Sequence, residues 1–272
     1  MSVKMKDSNV SEAWIAEQMR TNPPRLLPNG NVFSGPVRLS FANIFKPGKP
    51  NEEGGEGKFG ASLLFPPGTD FTVFNAVWLK AAKEGFPQNW DAQGQPVGLH
   101  SPFHRQDEKA IGPKPMAGYT PGAIYFACTS KFQPPVVDGT VPPRQVGDKT
   151  EFVTVTDESR AYSGVWAFVT VNTFKYGPPR PKKGIAFGLQ TVMLIADDTK
   201  LGGGGGNPTT DFAGVTITAT ANVAEKFGAL PGGAPPMAGP VGGIMPAGGH
   251  IGVAGNLPVQ PLVSASAWAD LE

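Results

Sequence analysis

RAYSGVWAFVTVNTFKY, residues Arg160–Tyr176, alternates at period two along its length, the spacing that sends successive side chains to opposite faces of a β-strand. One parity is Ala161, Ser163, Val165, Ala167, Val169 and Val171. It is small and aliphatic, and suits the inside of a tight barrel or sandwich. The other is Tyr162, Gly164, Trp166, Phe168, Thr170, Asn172, Phe174 and Tyr176, with Arg160 at its start and Lys175 beside its end. The pattern admits two readings. The aromatic face is a platform on which bases stack between cations, or it is buried under another segment because strand aromatics pack well.

The rest of the composition narrows the class. The chain has 272 residues, 40% of them hydrophobic, with 36 Gly and 29 Pro. That length suffices for one large domain or two modest ones, and the Gly and Pro density signals unstructured segments. The formal net charge is +1, yet all 23 Lys and Arg, and all but two of the 22 acids, fall in residues 1–227. Asp270 and Glu272 stand at the extreme C-terminus, so a weakly basic body ends in an acidic tip. The single cysteine, Cys128, allows no internal disulfide, which fits a reducing compartment. Inside AIYFACTS it reads as a small buried hydrophobe. No apolar run reaches the roughly 18 residues of a membrane span, and MSVKMKDSNVSEAW lacks the apolar core of a secretory signal. The expectation is a cytoplasmic protein with no membrane partner.

Working outward, residues 9–20 read as a short helix capped by Ser11, inside an N-terminal extension over residues 1–36. The domain proper is expected to begin with the strand Val37–Asn43. A Lys/Pro/Gly/Glu loop follows, then the strand Lys58–Phe65 and a helix over Phe71–Glu84 capped by Thr69 or Asp70. Ala123–Ser130 is a strand. Lys131–Asp138 is extended and, with its Pro pair, belongs at an edge. Val141–Asp157 reads as a polar loop. Gly177–Lys183 is a basic turn carrying Arg180, Lys182 and Lys183, and Ile185–Ile195 is the next strand. The five glycines Gly202–Gly206 lack the Lys-Ser/Thr and following helix of a phosphate-binding loop. From Gly228 the chain is uncharged and dense in Gly, Pro and Ala until WADLE, a composition that cannot offset its chain entropy. Residues 37–227 are therefore taken as the domain and 228–272 as a disordered tail.

Catalytic signatures are missing from the sequence. His100 and His104 are four apart, but Pro102 lies between them and neither a cysteine nor a third histidine is near. Asp107 and Glu108 would be needed to complete an oxygen-rich site. No nucleophile elbow, HExxH or dinucleotide fingerprint is present. The expectation is a non-enzyme with no metal and no cofactor.

VRLSFANIFKP, then GKFGASLLFPPGTD with its amphipathic helix, then YSGVWAFVTVNTFKYGPPRPKKGIAFGLQTVMLIADDTKLGGG, occur in an order that resembles phage and prophage single-stranded-DNA-binding proteins. The resemblance covers roughly Val37–Phe212 and is most specific over Tyr162–Gly202. It implies a variant OB-fold barrel related to the helix-destabilising proteins of tailed phages. It also implies binding of single-stranded DNA with little sequence preference, in replication, recombination or repair. Carried onto this chain, the implied surface uses Tyr162, Trp166 and Phe168, then Phe174, Lys175 and Tyr176.

The combined expectation is a mainly β protein, an OB-like Greek-key barrel with one inserted amphipathic helix. Phosphates would meet Arg38, Lys58, Lys131, Arg160, Lys175, Arg180, Lys182 and Lys183, while bases stack on the aromatic face. The tip residues Trp268, Asp270, Leu271 and Glu272 would meet a replication or recombination protein, or fold back and compete with DNA. The rival classes are a structural phage protein, virion or scaffold, and a metal-dependent nuclease built on Asp107 and Glu108.

Overall fold

The alternation of residues 166–176 becomes one wall of a closed β-barrel. The computed structural model describes residues 4–50, 55–177 and 182–202. The chain divides into two units, Met1–Gly203 and Gly204–Glu272, and every described residue lies in the first. In chain order its elements are α1 (Glu12–Thr21), β1 (Arg25–Leu26), β2 (Val32–Asn43), β3 (Phe59–Leu64) and α2 (Thr72–Gly85). There follow β4 (His104–Arg105), α3 (Asp107–Ile111), β5 (Ile124–Ser130), β6 (Val136–Asp138), β7 (Arg144–Val146), β8 (Lys149–Glu151), β9 (Trp166–Tyr176) and β10 (Gly184–Ala196).

Five strands close the barrel. β2 pairs antiparallel with β3 and β9, β3 with β5, and β9 with β10. A parallel pairing of β10 with β5, Phe187 opposite Cys128 and Gly188 opposite Thr129, completes the ring. Counted as barrel strands, the order is 1-2-3-5-4-1 with the third and fifth parallel, the arrangement of an OB-fold. β6 continues the sheet beyond β10 as the edge that its prolines implied. β7 and β8 form a separate exposed hairpin within the stretch expected to be a loop.

Small aliphatic residues of β9, namely Ala167, Val169 and Val171, point inward with Leu39, Leu63, Phe126 and Phe187. Their alternation with outward residues is the period-two pattern of a strand with one buried face. α2 covers this core with Phe74, Trp78 and Ala82, at i, i+4 and i+8. Rings of Phe65, Phe74, Phe126 and Phe187 pack edge-on, tilted or stacked at centroid distances from 4.5 to 5.8 Å. Each fully buried Phe or Leu contributes about 1.5–3 kcal/mol. The Trp78 indole N–H donates to the Ile185 carbonyl at 3.2 Å, so its one polar atom is satisfied. Cys128 sits in this core, where burial pushes its thiol up to about 12.

Several boundaries moved from the sequence reading, three of them near the barrel's working strands and its covering helix. The first barrel strand starts at Val32, not Val37, because Val32 and Phe33 already pair with Val171 and Thr170. The central strand starts at Trp166, not Arg160. Arg160 belongs to a 3₁₀ turn over Glu158–Arg160 capped by Asp157, and Gly164 breaks the extended run with φ 120°. A β-carbon at Gly164 would collide with the Thr199 carbonyl, so only glycine fits there. α2 starts at Thr72, one residue later than expected. The Asp70 carboxylate accepts from the Thr72 backbone N–H at 2.8 Å.

Candidate nucleic-acid interface

The outward parity of β9 was the candidate platform, and it has three separate fates. At its start, Trp166 is 0% exposed. α1 lies over it, capped by Ser11 as its sequence implies, with Trp14 edge-on to Trp166 at 5.7 Å. Met5, Ile15, Leu64, Tyr119 and Leu201 complete a second apolar cluster outside the barrel wall. Arg38, adjacent on β2, is equally buried. Its guanidinium donates to the carbonyls of Lys6, Asp7, Gly164 and Thr199 at 2.8–3.1 Å and meets the buried Asp198 carboxylate at 3.3 Å. Burial alone would raise Asp198. Hydrogen bonds from Ser8, Asn9, Thr199 and Trp166 outweigh it and hold the carboxyl below the usual range. Arg38 and Trp166 are therefore struck from the DNA-contact set. They fasten the N-terminal segment to the barrel.

Midway along β9, Phe168 is half-buried and tilts against Phe33 at 5.1 Å, and the Arg25 guanidinium lies 4.0 Å from the Phe33 ring centre. Arg160, expected on a phosphate, pairs instead with Asp138 at 2.5 Å. The hydrogen bond from Arg160, seconded by Thr140, holds the Asp138 carboxyl down at about 2. Lys175 turns to the opposite face, where its ammonium donates to the Gly85 carbonyl at the C-terminus of α2, 4.4 Å from the Phe86 ring centre. Lys183 converges on the same place through Asn89 at 3.1 Å. Tyr162 lies before the strand, beside a pocket on the β2 side.

The last third of the strand is open, and here the register builds a surface. Phe174 stands opposite Ala186, Asn172 opposite Gly188, and Tyr176 opposite Gly184. Gly188 is level with Thr129, and Thr129 with Gly60; Ala127 is level with Ser62. Cys128, Phe126, Ala61 and Phe187 point inward, so these neighbours point outward. The result is a belt across β3, β5, β10 and β9 whose floor is Ser62, Ala127, Thr129, Ala186 and Gly188. Ala127 and Thr129 are exposed. Gly188 keeps the floor low, since a β-carbon there would collide with the Asn172 side chain. Phe174, 38% exposed, borders it on β9.

Cations and rings flank the belt. At the N-terminal end of β3, Lys58 is exposed beside half-buried Phe59, and Phe59 is level with Ser130. Ser130 is followed by Lys131 and then by Phe132, which is 81% exposed. At the other end, His104 pairs with Tyr125, their rings 5.3 Å apart, and His100 bridges to Gly184. Burial, then the nearby His100 and Lys109, lower the His104 imidazole, while burial raises the Tyr125 hydroxyl to about 12. Lys182 is exposed at the start of β10. Asp107, the acid considered for a nuclease, pairs with Arg105 at 3.0 Å and accepts from the Gly122 N–H. Among the described residues no group of three or more His, Cys, Asp and Glu is arranged to hold a metal.

The structure thus gathers Lys58, Lys131, Phe174, Tyr176 and Lys182 around one face, with Lys183 behind it. It sets Arg38, Arg160, Tyr162, Trp166, Phe168 and Lys175 elsewhere. Arg180 and the tip residues Trp268, Asp270, Leu271 and Glu272 lie outside the described residues, as does the tail from Gly228. Sequence reasoning missed Phe132, Tyr125 and the small-residue floor. Phe132 had a readable signal, a lone aromatic after a lysine and before Gln133 and two prolines, where no strand can bury it.

Residues 30–224 match the family described as Enterobacter phage Enc34, ssDNA-binding protein. No curated protein sequence matches the chain. Among solved structures, a C-terminally truncated single-stranded DNA-binding protein from bacteriophage Enc34 is similar at 17% identity and TM-score 0.48, over 74% of this chain and 99% of that one. The same phage's protein in complex with ssDNA gives 18% identity and TM-score 0.47, over 66% and 93%. gp2.5, a single-stranded DNA binding protein of bacteriophage T7, gives 18% and 0.38, over 69% and 95%. Among the described residues no helix is long and apolar enough to cross a membrane.

Proposed function

The chain belongs to the Enterobacter phage Enc34 ssDNA-binding protein family, and on that premise we propose that it binds single-stranded DNA, without catalysis, in phage DNA replication. The observation that supports this most is the belt. Its small floor lets a sugar–phosphate backbone approach the sheet, its bordering rings offer π faces to any base, and its lysines lie where phosphates would pass. It crosses the second and third barrel strands and continues onto the fifth and fourth, and the face of strands two and three is the one OB-folds use for oligonucleotides. Stacking on Phe174, Tyr176 and Phe132 is sequence-tolerant because every base has a π face. No base-edge reader is needed, so sequence preference is weak.

A gel shift with labelled oligo-dT and a matching duplex, without and with magnesium, tests the proposal. Retention of the oligo-dT over the duplex, with both intact in magnesium, is the expected result. Cleavage would favour the nuclease, and no shift the structural phage protein.

A further inference from the structure

Resting on that reading, the geometry points to a second element of the site: a pocket that takes one unstacked base of the bound strand. The pocket, about 610 Å³, is lined by Phe41, Tyr162, Met116, Ser40, Ser163 and Lys200 among others. Small-molecule sites occupy about 300–1,000 Å³. It lies at the far end of β2, two residues from Asn43, which is level with Gly60 at the end of the belt floor.

Three features give it the chemistry of a nucleotide site. Tyr162 is held by its hydroxyl, which accepts from the Asp198 N–H at 2.9 Å and lies 2.9 Å from the Asp198 carbonyl. Its ring is therefore fixed before any ligand arrives, and little rotamer entropy remains to be lost on binding. The Lys200 ammonium stands 5.3 Å from the centre of that ring and is exposed, placed for a phosphate next to a stacked base. Phe41 has φ 50°, a left-handed backbone that a bulky residue rarely adopts. The strain is imposed locally: the β2–β3 register slips between Ser40 and Asn43, and the Ala42 N–H donates to Ser163 Oγ at 3.0 Å. A glycine would sit there without strain, yet the position carries a phenyl ring that lines the pocket. Backbone strain retained beside a pocket is a mark of function. Two rings and one cation suit a neutral base with the negatively charged phosphate next to it. An apolar peptide side chain would leave the lysine without a role.

The test uses the full chain, an oligo-dT and a set carrying one 5-iodouracil or one abasic site at each position in turn. Light-driven cross-links to Phe41 or Tyr162 are expected from one oligo position. An abasic site there should weaken wild-type binding about fivefold or more. Phe41→Gly should weaken oligo-dT binding by a similar factor and abolish the abasic penalty, while its Tm holds or rises as the strain is removed. Lys200→Glu, on an exposed side chain, should weaken binding by at least as much and decides the matter if Phe41→Gly does not fold. Cross-links confined to Phe132 and Phe174, with both variants binding like wild type, would overturn the pocket and leave the proposed function standing. A lower Tm for Phe41→Gly at unchanged affinity would do the same, and would make Phe41 a packing residue. If the wild type does not bind the oligo, the functional reading itself fails.

Discussion

Trp166 and Phe174 share a strand, a parity and an aromatic ring, and they differ completely in surroundings. Trp166 lies under α1, with its indole N–H on Asp198 at 2.8 Å. Phe174 lies on an open face over Gly188. The difference is not in the strand. It comes from a segment more than a hundred residues away in sequence, which folds over one end of the outer wall and leaves the other bare. An outward aromatic on a barrel strand is a binding residue only where nothing else has claimed it.

This contrast predicts two opposite mutational signatures. The largest effect belongs to the covered end. Trp166→Ala should cost about 3–5 kcal/mol of stability, and Arg38→Ala a comparable amount because Asp198 is left buried without its cation. Urea denaturation reads both. The folded fraction of each should still bind oligonucleotide like the wild type, and lost affinity with unchanged stability would undo the distinction.

At the open end the signature reverses. Phe174→Ala and Phe132→Ala should each weaken oligo-dT binding by roughly 1–3 kcal/mol, seen by fluorescence anisotropy, with Tm almost unmoved. Steep melting with normal affinity would return these rings to the core.

A smaller effect separates Arg160 from the DNA-facing cations. Asp138, held near 2 by Arg160, binds a proton less readily folded than unfolded. The pair's stabilisation is present above the unfolded carboxylate pKa of about 4 and is lost as pH falls from there toward 2. Asp138→Asn should lower Tm at neutral pH and flatten its decline across that window. A parallel decline in both proteins would mean that the pair does not contribute.

The smallest effect is in salt dependence. Each phosphate neutralised on a single strand contributes a slope of about −0.7 to log K against log salt. Replacing Lys58, Lys131 and Lys182 by Ala should flatten that slope, whereas replacing Arg160 should not. An unchanged slope in the triple variant would send the DNA path elsewhere.

How much of this was legible follows from the same contrast. The inward parity of β9 was readable because burial of one strand face depends on local alternation. The Ser11 cap, the α2 stripe and the burial of Cys128 were readable for similar local reasons. The covering of Trp166 was not, since it depends on where α1 docks, and an exposed strand aromatic and a covered one look alike in sequence. The belt floor was illegible for another reason. Ala127, Thr129, Ala186 and Gly188 carry no chemical signal, and only the register of β5 against β10 makes them neighbours. The β7–β8 hairpin had a local mark in Gly147-Asp148, with Gly147 at φ 60°, hidden in a stretch polar enough to read as a loop.

The central claim is that DNA crosses the belt and not the other outer aromatic patch, Arg25–Phe33–Phe168. One substitution on each surface decides between them. Ala127 is exposed in the middle of the floor, and Arg25 is exposed opposite Phe33, its guanidinium over that ring. Anisotropy of a labelled oligo-dT should show Ala127→Glu losing at least tenfold in affinity at low salt with its Tm unchanged, and Arg25→Glu binding like the wild type. Full affinity in Ala127→Glu together with a loss in Arg25→Glu would contradict the account and move the strand to the Phe33–Phe168 patch.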